Sequence, residues 1–194
     1  MNRSDENIIA TEQTAKSDKS MCADGGTRKG ANRRRIAFAV VALAWVAFDQ
    51  VAKAQFQGAQ LGRVVFGPVL GLFDFRLVYN TGGAWGVFSD ATLALGVFSV
   101  LVCVAAAFYF VVAAESLNWA ETIGFSLIVA GGIGNAIDRF LLGYVVDFIE
   151  FSFFDFPVFN IADIGVTCGF VLLIIGLLAD YARAAKAPSQ EKEG

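Results

Sequence analysis

Apolar residues gather into four long runs separated by shorter polar or mixed segments. The first, IAFAVVALAWVAFDQVAKAQF, follows three consecutive arginines and predicts a helix over about 36–54. The others predict helices over about 91–114, 122–142 and 161–181. A helix needs about 20 predominantly apolar residues to cross about 30 Å of hydrocarbon, so each run is long enough to span a bilayer once. Between these runs the pattern changes. QLGRVVFGPVLGLFDFRLVYN and YVVDFIEFSFFDF mix β-branched and aromatic residues with Gly and Pro in short blocks, which predicts short strands. The fold class expected is membrane all-α: four transmembrane helices with a small β-sheet on the outer (periplasmic) face.

Residues 1–34 break this pattern. They are polar, lack periodicity and carry no aromatic before the first run, so a disordered cytoplasmic tail is expected there. The apolar stretch begins too late for a cleavable signal peptide and has no small-residue exit. Residues 35–183 then form one membrane domain, and 184–194 a short cytoplasmic C-terminal tail. Composition agrees: 56% of residues are hydrophobic and the mean hydropathy is +0.59, against about 45–50% apolar in ordinary soluble domains.

Charge sets the orientation. Residues 1–35 carry eight Lys/Arg, including Arg28, Lys29 and Arg33 to Arg35, which places the N-terminus inside. Four spans return the C-terminus to the same side, where Arg183 and Lys186 agree. Segments 55–90 and 143–160 then face outward. Between Ile36 and Ala182 there are four basic but eleven acidic residues. On this topology Asp49, Lys53, Asn80, Asn135, Asp138, Arg139, Asp147, Asn160 and Asp163 all fall on the outer side. Ionisable groups in membrane segments are costly and mark function by default, and convergence on one side points to a site.

Each has a plainer explanation. Asp49 and Lys53 are spaced i, i+4 and pair along a helix. Asn135, Asp138 and Arg139 share a helix face suited to interhelical hydrogen bonds, and Gly131, Gly132 and Gly134 suit close packing. Asn160-x-x-Asp163 resembles a capping box. Asp147 is hardest to explain this way, flanked by apolar residues in YVVDFIEF.

The chain has no histidine, which removes Ser-His and Cys-His nucleophiles and most zinc sites. Cys22, Cys103 and Cys168 form no C-x-x-C pair and read as inert. Neither cofactor nor metal is expected. Two carboxylates sharing a proton can hydrolyse a peptide, one as general base on water and the other as acid to the carbonyl. Asp147 and Asp163 are the pair selected, since Asp49 and Asp138 have Lys53 and Arg139 as near partners.

FDQVAK (48–53), NTGGAWG (80–86), GGIGNAIDR (131–139), GYVVDFIEF (143–151) and FNIADIG (159–165), in this order across four spans, resemble lipoprotein signal peptidase, or signal peptidase II. The resemblance covers about Arg35 to Ala182. It implies an aspartyl peptidase of the bacterial cytoplasmic membrane that cuts prolipoproteins on the amino side of a diacylglyceryl-modified lipobox cysteine. Its catalytic aspartates fall on Asp147 and Asp163. Its other polar site positions fall on Asp49, Lys53, Asn80, Asn135, Asp138, Arg139 and Asn160. The implied partners are those prolipoproteins, membrane lipid and globomycin-type inhibitors. No nucleic-acid partner and a monomeric chain are expected. Trp85 stands where many relatives carry a smaller aromatic or an alanine, which bears on the shape of the substrate groove.

The rival readings are a different intramembrane protease, a small proton-coupled transporter or channel subunit, and a scaffold with no chemistry. Presenilin- and prepilin-type proteases carry G-x-G-D, which neither aspartate here matches. A small proton-coupled transporter or channel subunit could use the same carboxylates, although charges near mid-span would suit it better.

Overall fold

The computed structural model describes residues 3–83, 87–88 and 91–186, with side chains from residue 28 onward. In chain order the elements are α1 (Arg3–Phe56), β1 (Val64–Val69), β2 (Phe73–Asn80), α2 (Thr92–Ala113), α3 (Trp119–Leu141), β3 (Val145–Phe151) and α4 (Ile161–Lys186). All four helices contain a stretch long and apolar enough to cross a membrane. Helix is the form such stretches must take, because hydrocarbon offers no partner to an unpaired backbone group. Leu43, Phe98, Phe108 and Leu177 all point outward. Apolar surface on this scale belongs against lipid rather than water.

The third helix is the hub. About 67% of its span is buried, against 11% to 22% for the others, and it packs on all three neighbours. Its GGIG sequence explains how. A Cβ on Gly131 would strike the Ala162 carbonyl on α4, one on Gly132 would strike Cys103 Sγ on α2, and one on Gly134 would come within 2.7 Å of Asp49 on α1. Lower down, Gly124 and Gly169 face each other's carbonyl oxygens, so α3 and α4 approach closely along their length.

Two boundaries differ from expectation. The third helix starts at Trp119, ahead of the expected 122, because Asn118 accepts from the Glu121 amide while Glu121 accepts from the Asn118 amide. The expected tail also ends too late. Residues 28–34 are helical and tied down: Arg34 donates to the Ala114 and Glu115 carbonyls, and Arg35 to that of Val111. These guanidiniums satisfy carbonyls at the C-terminus of α2 and oppose its dipole. The remainder of that expected tail, residues 1–27, lies outside the described side chains, as residues 187–194 do altogether.

The mixed segments fold as expected into one antiparallel sheet, ordered β1-β2-β3. It sits over one end of the bundle. Leu77, Val146 and Phe148 form its buried core with Phe56 at the end of α1, whose ring stacks on Phe148 at 4.3 Å. The outer edge of β3 is covered by Phe159, whose carbonyl accepts from the amides of Phe148 and Ile149. Covering that edge removes a row of unpaired backbone groups.

Candidate active site

The polar residues singled out in the sequence converge where the sheet meets the helix ends. Asp147 lies on β3 opposite Val78 of β2, and Asn80 lies two residues further along the same face. Asn80 therefore reaches back to donate to Asp147 Oδ2 at 3.0 Å. Asn160 donates to Asp147 Oδ1 at 2.7 Å. Asn160 is also the cap of α4: its Oδ1 accepts from the Asp163 amide at 3.0 Å, and Asp163 Oδ2 accepts from the Asn160 amide at 3.0 Å. The reciprocal cap read from the sequence is present, but it uses only one oxygen of Asp163. The other accepts from Asn135 at 2.7 Å. Asn160 thus links the two carboxylates, through its side-chain amide to Asp147 and its backbone amide to Asp163.

Asp147 is buried, and burial pushes its carboxyl up to about 7, with the nearby charge of Asp163 adding to the rise. Hydrogen bonds from Asn80 and Asn160 and the charge of Lys53 oppose it. The outcome is a carboxyl that holds a proton near neutrality.

A cavity of about 450 Å³ opens beside the pair. Asn80, Asn135, Arg139, Asp147 and Asp163 form its polar wall, and Phe151, Phe156, Val158, Phe159 and Ile164 its apolar wall. Thr167 and Cys168, both exposed on the flank of α4, complete it. Arg139 donates to the Gly82 carbonyl at 3.2 Å and to its own helix at Asn135.

Asp49, Lys53 and Asp138 form a second, fully buried group behind this wall. Lys53 Nζ lies 2.8 Å from Asp49 and 3.0 Å from Asp138, and all three are at most 3% exposed. The i, i+4 pairing of Asp49 and Lys53 is therefore real. The expected pairing of Asp138 with Arg139 is not what forms: adjacent helical residues point about 100° apart, so Asp138 turns to Lys53 while Arg139 turns to the loop at Gly82.

Comparison with known proteins bears on the whole domain. A family model described as "Signal peptidase (SPase) II" matches residues 41–179. A lipoprotein signal peptidase of Nostoc punctiforme is 40% identical over 141 residues, 68% of this chain and 84% of its own. One of Staphylococcus aureus is 36% identical over 143 residues, 73% of this chain and 87% of its own. The chain belongs to the signal peptidase II family. A bacterial membrane enzyme solved by the in meso method at 2.3 Å shares 33% identity and a TM-score of 0.70, covering 81% of this chain and 94% of that one. A second, at 1.9 Å, shares 34% identity and a TM-score of 0.66, covering 74% of this chain and 94% of that one. Signal peptidase II membership makes the chain a multi-pass bacterial membrane protease and sets the transporter reading aside.

Within this signal peptidase II domain, three contributors escaped the sequence reading. Gln50 donates to Asp49 and Asp138 at 3.1 Å each. A glutamine inside an otherwise apolar run was the available signal. Trp45 donates from its indole to the Ile161 carbonyl at 3.1 Å, and lies where a Cβ on Gly165 would strike it. Thr92 holds the loop after β2 by donating to the Thr81 carbonyl at 2.5 Å. Trp85 lies outside the described residues.

Proposed function

We propose that the chain is an aspartyl endopeptidase that removes signal peptides from bacterial prolipoproteins, cutting on the amino side of the diacylglyceryl-modified cysteine. The observation that carries this reading is the meeting of Asp147 from β3 and Asp163 from α4 at one cavity wall, linked through Asn160. Asp147, raised to about 7, is the member that holds the proton, and Asp163 is the base. Water attacks the scissile carbonyl carbon as its proton passes to Asp163. The proton on Asp147 moves to the carbonyl oxygen, giving a tetrahedral gem-diol. On collapse the C–N bond breaks, the departing nitrogen takes the proton from Asp163, and a diol hydroxyl returns one to Asp147. Asn80 and Asn160 hold Asp147, while Arg139 faces the cavity as a fixed cation for the substrate backbone and the developing oxyanion.

The apolar wall suits a lipid-modified segment, and the cavity's reach to Thr167 and Cys168 on the flank of α4 suits entry from the bilayer side. Basic residues support an orientation with both termini in the cytoplasm and the carboxylates near the outer face. Arg34 and Arg35 bind the end of α2 opposite the sheet, and Asn118, beside that end, donates to Asp180 near the close of α4.

The test is cleavage of a lipid-modified prolipoprotein peptide by Asp147→Asn and Asp163→Asn. Both should fold and show almost no cleavage. Alanine at Asn80, Arg139 or Asn160 should leave measurable activity, reduced by roughly 10²–10³ at most for a lost oxyanion donor. Near-normal cleavage by either asparagine variant would defeat the two-aspartate mechanism.

A further inference from the structure

We propose that Lys53, Asp49 and Asp138 are positioning residues that fix the spacing of Asp147 and Asp163 by gripping the backbone immediately before each. This rests on the two-aspartate reading. Asp138 Oδ2 accepts from the Val146 amide at 3.0 Å, one residue before Asp147. Asp49 Oδ1 accepts from the Ala162 amide at 2.8 Å, one residue before Asp163. The two carboxylates come from α3 and α1, and each holds the segment that carries a different member of the pair.

Lys53 joins these two grips. An ammonium has three donors and no acceptor, and here they go to Asp49, Asp138 and Asn135 Oδ1, the last at 3.1 Å. The third bond also settles how Asn135 faces. Its oxygen is turned to Lys53 and to the Asn160 amide at 2.9 Å, so its NH₂ must point at Asp163. Gln50 ties the remaining acceptors together by donating to Asp49, Asp138 and the Gly134 carbonyl. None of Lys53, Asp49, Asp138 or Gln50 lines the cavity, so they act through the residues they hold.

Stability alone is a weak account of the arrangement. Buried ion pairs of this kind are often matched or exceeded by apolar residues of equal volume. What an apolar core cannot supply is an acceptor aimed at each of two particular amides. A misplacement of about 1 Å at a reacting group can cost about 10² in rate, which is the scale of effect the grip controls.

The experiment compares Asp138→Leu with Asp138→Asn, and Asp49→Leu with Asp49→Asn, measuring kcat and KM on a lipid-modified prolipoprotein peptide with folded protein quantified in parallel. Leucine removes the acceptor and asparagine keeps one. We expect kcat per folded molecule to fall about 10²-fold in the leucine variants, with KM within about twofold, and at least about tenfold recovery in the asparagine variants. Folded leucine variants with wild-type kcat, asparagine variants no better than leucine, or a loss confined to KM would each overturn the proposal. Should leucine prevent folding, Gln50→Leu leaves both ion pairs in place and should lower kcat severalfold at constant KM; an unchanged kcat there overturns it too. Asp147→Asn and Asp163→Asn are run alongside. Activity in those variants defeats the two-aspartate reading, whereas their inactivity beside normal Asp49 and Asp138 variants defeats the positioning role alone.

Discussion

Replacing Asn80 with alanine should move the alkaline limb of the pH–rate profile upward. Asp147 is raised to about 7, first by burial and then by the charge of Asp163. If it must carry a proton to donate to the carbonyl, turnover is lost as pH rises through that value. Half the molecules are competent at pH about 7 and about a tenth at pH about 8, a fall of about tenfold per unit beyond. Asn80 donates to Asp147 Oδ2 at 3.0 Å and favours the ionised form. A hydrogen bond to a charged acceptor is worth about 1.5–3 kcal/mol, and 1.36 kcal/mol is about one pKa unit. Removing it should therefore shift the limb up by roughly one to two units. The assay is kcat/KM against pH on lipid-modified peptide for both proteins, since kcat/KM reports the free enzyme in which Asp147 is raised to about 7. A limb that stays put or moves down in Asn80→Ala, or a wild-type rate constant to pH about 9, would refute the assignment of the proton to Asp147. The same shift has a stability consequence. The folded state binds this proton more tightly than the unfolded chain, so the contribution is full below the ordinary aspartate range near 3.8 and is lost as pH rises through about 7.

Gly131→Ala should destabilise the fold by about 1–3 kcal/mol, because its Cβ would strike the Ala162 carbonyl and push the start of α4 off α3; a thermal melt equal to wild type would contradict that close approach. Reporter fusions at the C-terminus and within 57–79 should read cytoplasmic and external respectively, and an external C-terminus would refute the orientation. Chelation should leave cleavage unchanged: no histidine occurs in the chain, and the described residues hold no cluster of three or more metal-binding side chains. Activity lost to chelation and restored by one divalent ion would contradict this.

The four spans and the sheet were legible in the sequence because both rest on local periodicity. Helix boundaries near 92, 113, 141 and 161 fall where the apolar runs start and stop. The pairing of polar groups was only partly legible. Asp49 with Lys53 and Asn160 with Asp163 are local, three or four residues apart, and both formed as spacing dictates. Asp138 with Lys53 joins residues from two helices, and no pattern along the chain marks it. Sequence adjacency suggested Arg139 instead, because neighbouring charges look paired on paper while a helix turns them apart. Gln50 is unmarked for a related reason: along the chain it is one uncharged residue in an apolar run, although in the fold its amide spans two acids.

The exposed flank at Thr167 and Cys168 has a kinetic consequence. On the proposed entry past this flank, substrate arrives by diffusion in a plane, within the leaflet where its proposed diacylglyceryl chain resides. The quantity that governs encounter is then the number of substrate molecules per unit area of membrane. Adding inert lipid or detergent at constant bulk concentration should dilute the reaction as effectively as withholding substrate. Rates for this enzyme are therefore comparable between preparations only at equal mole fraction of substrate in the lipid phase.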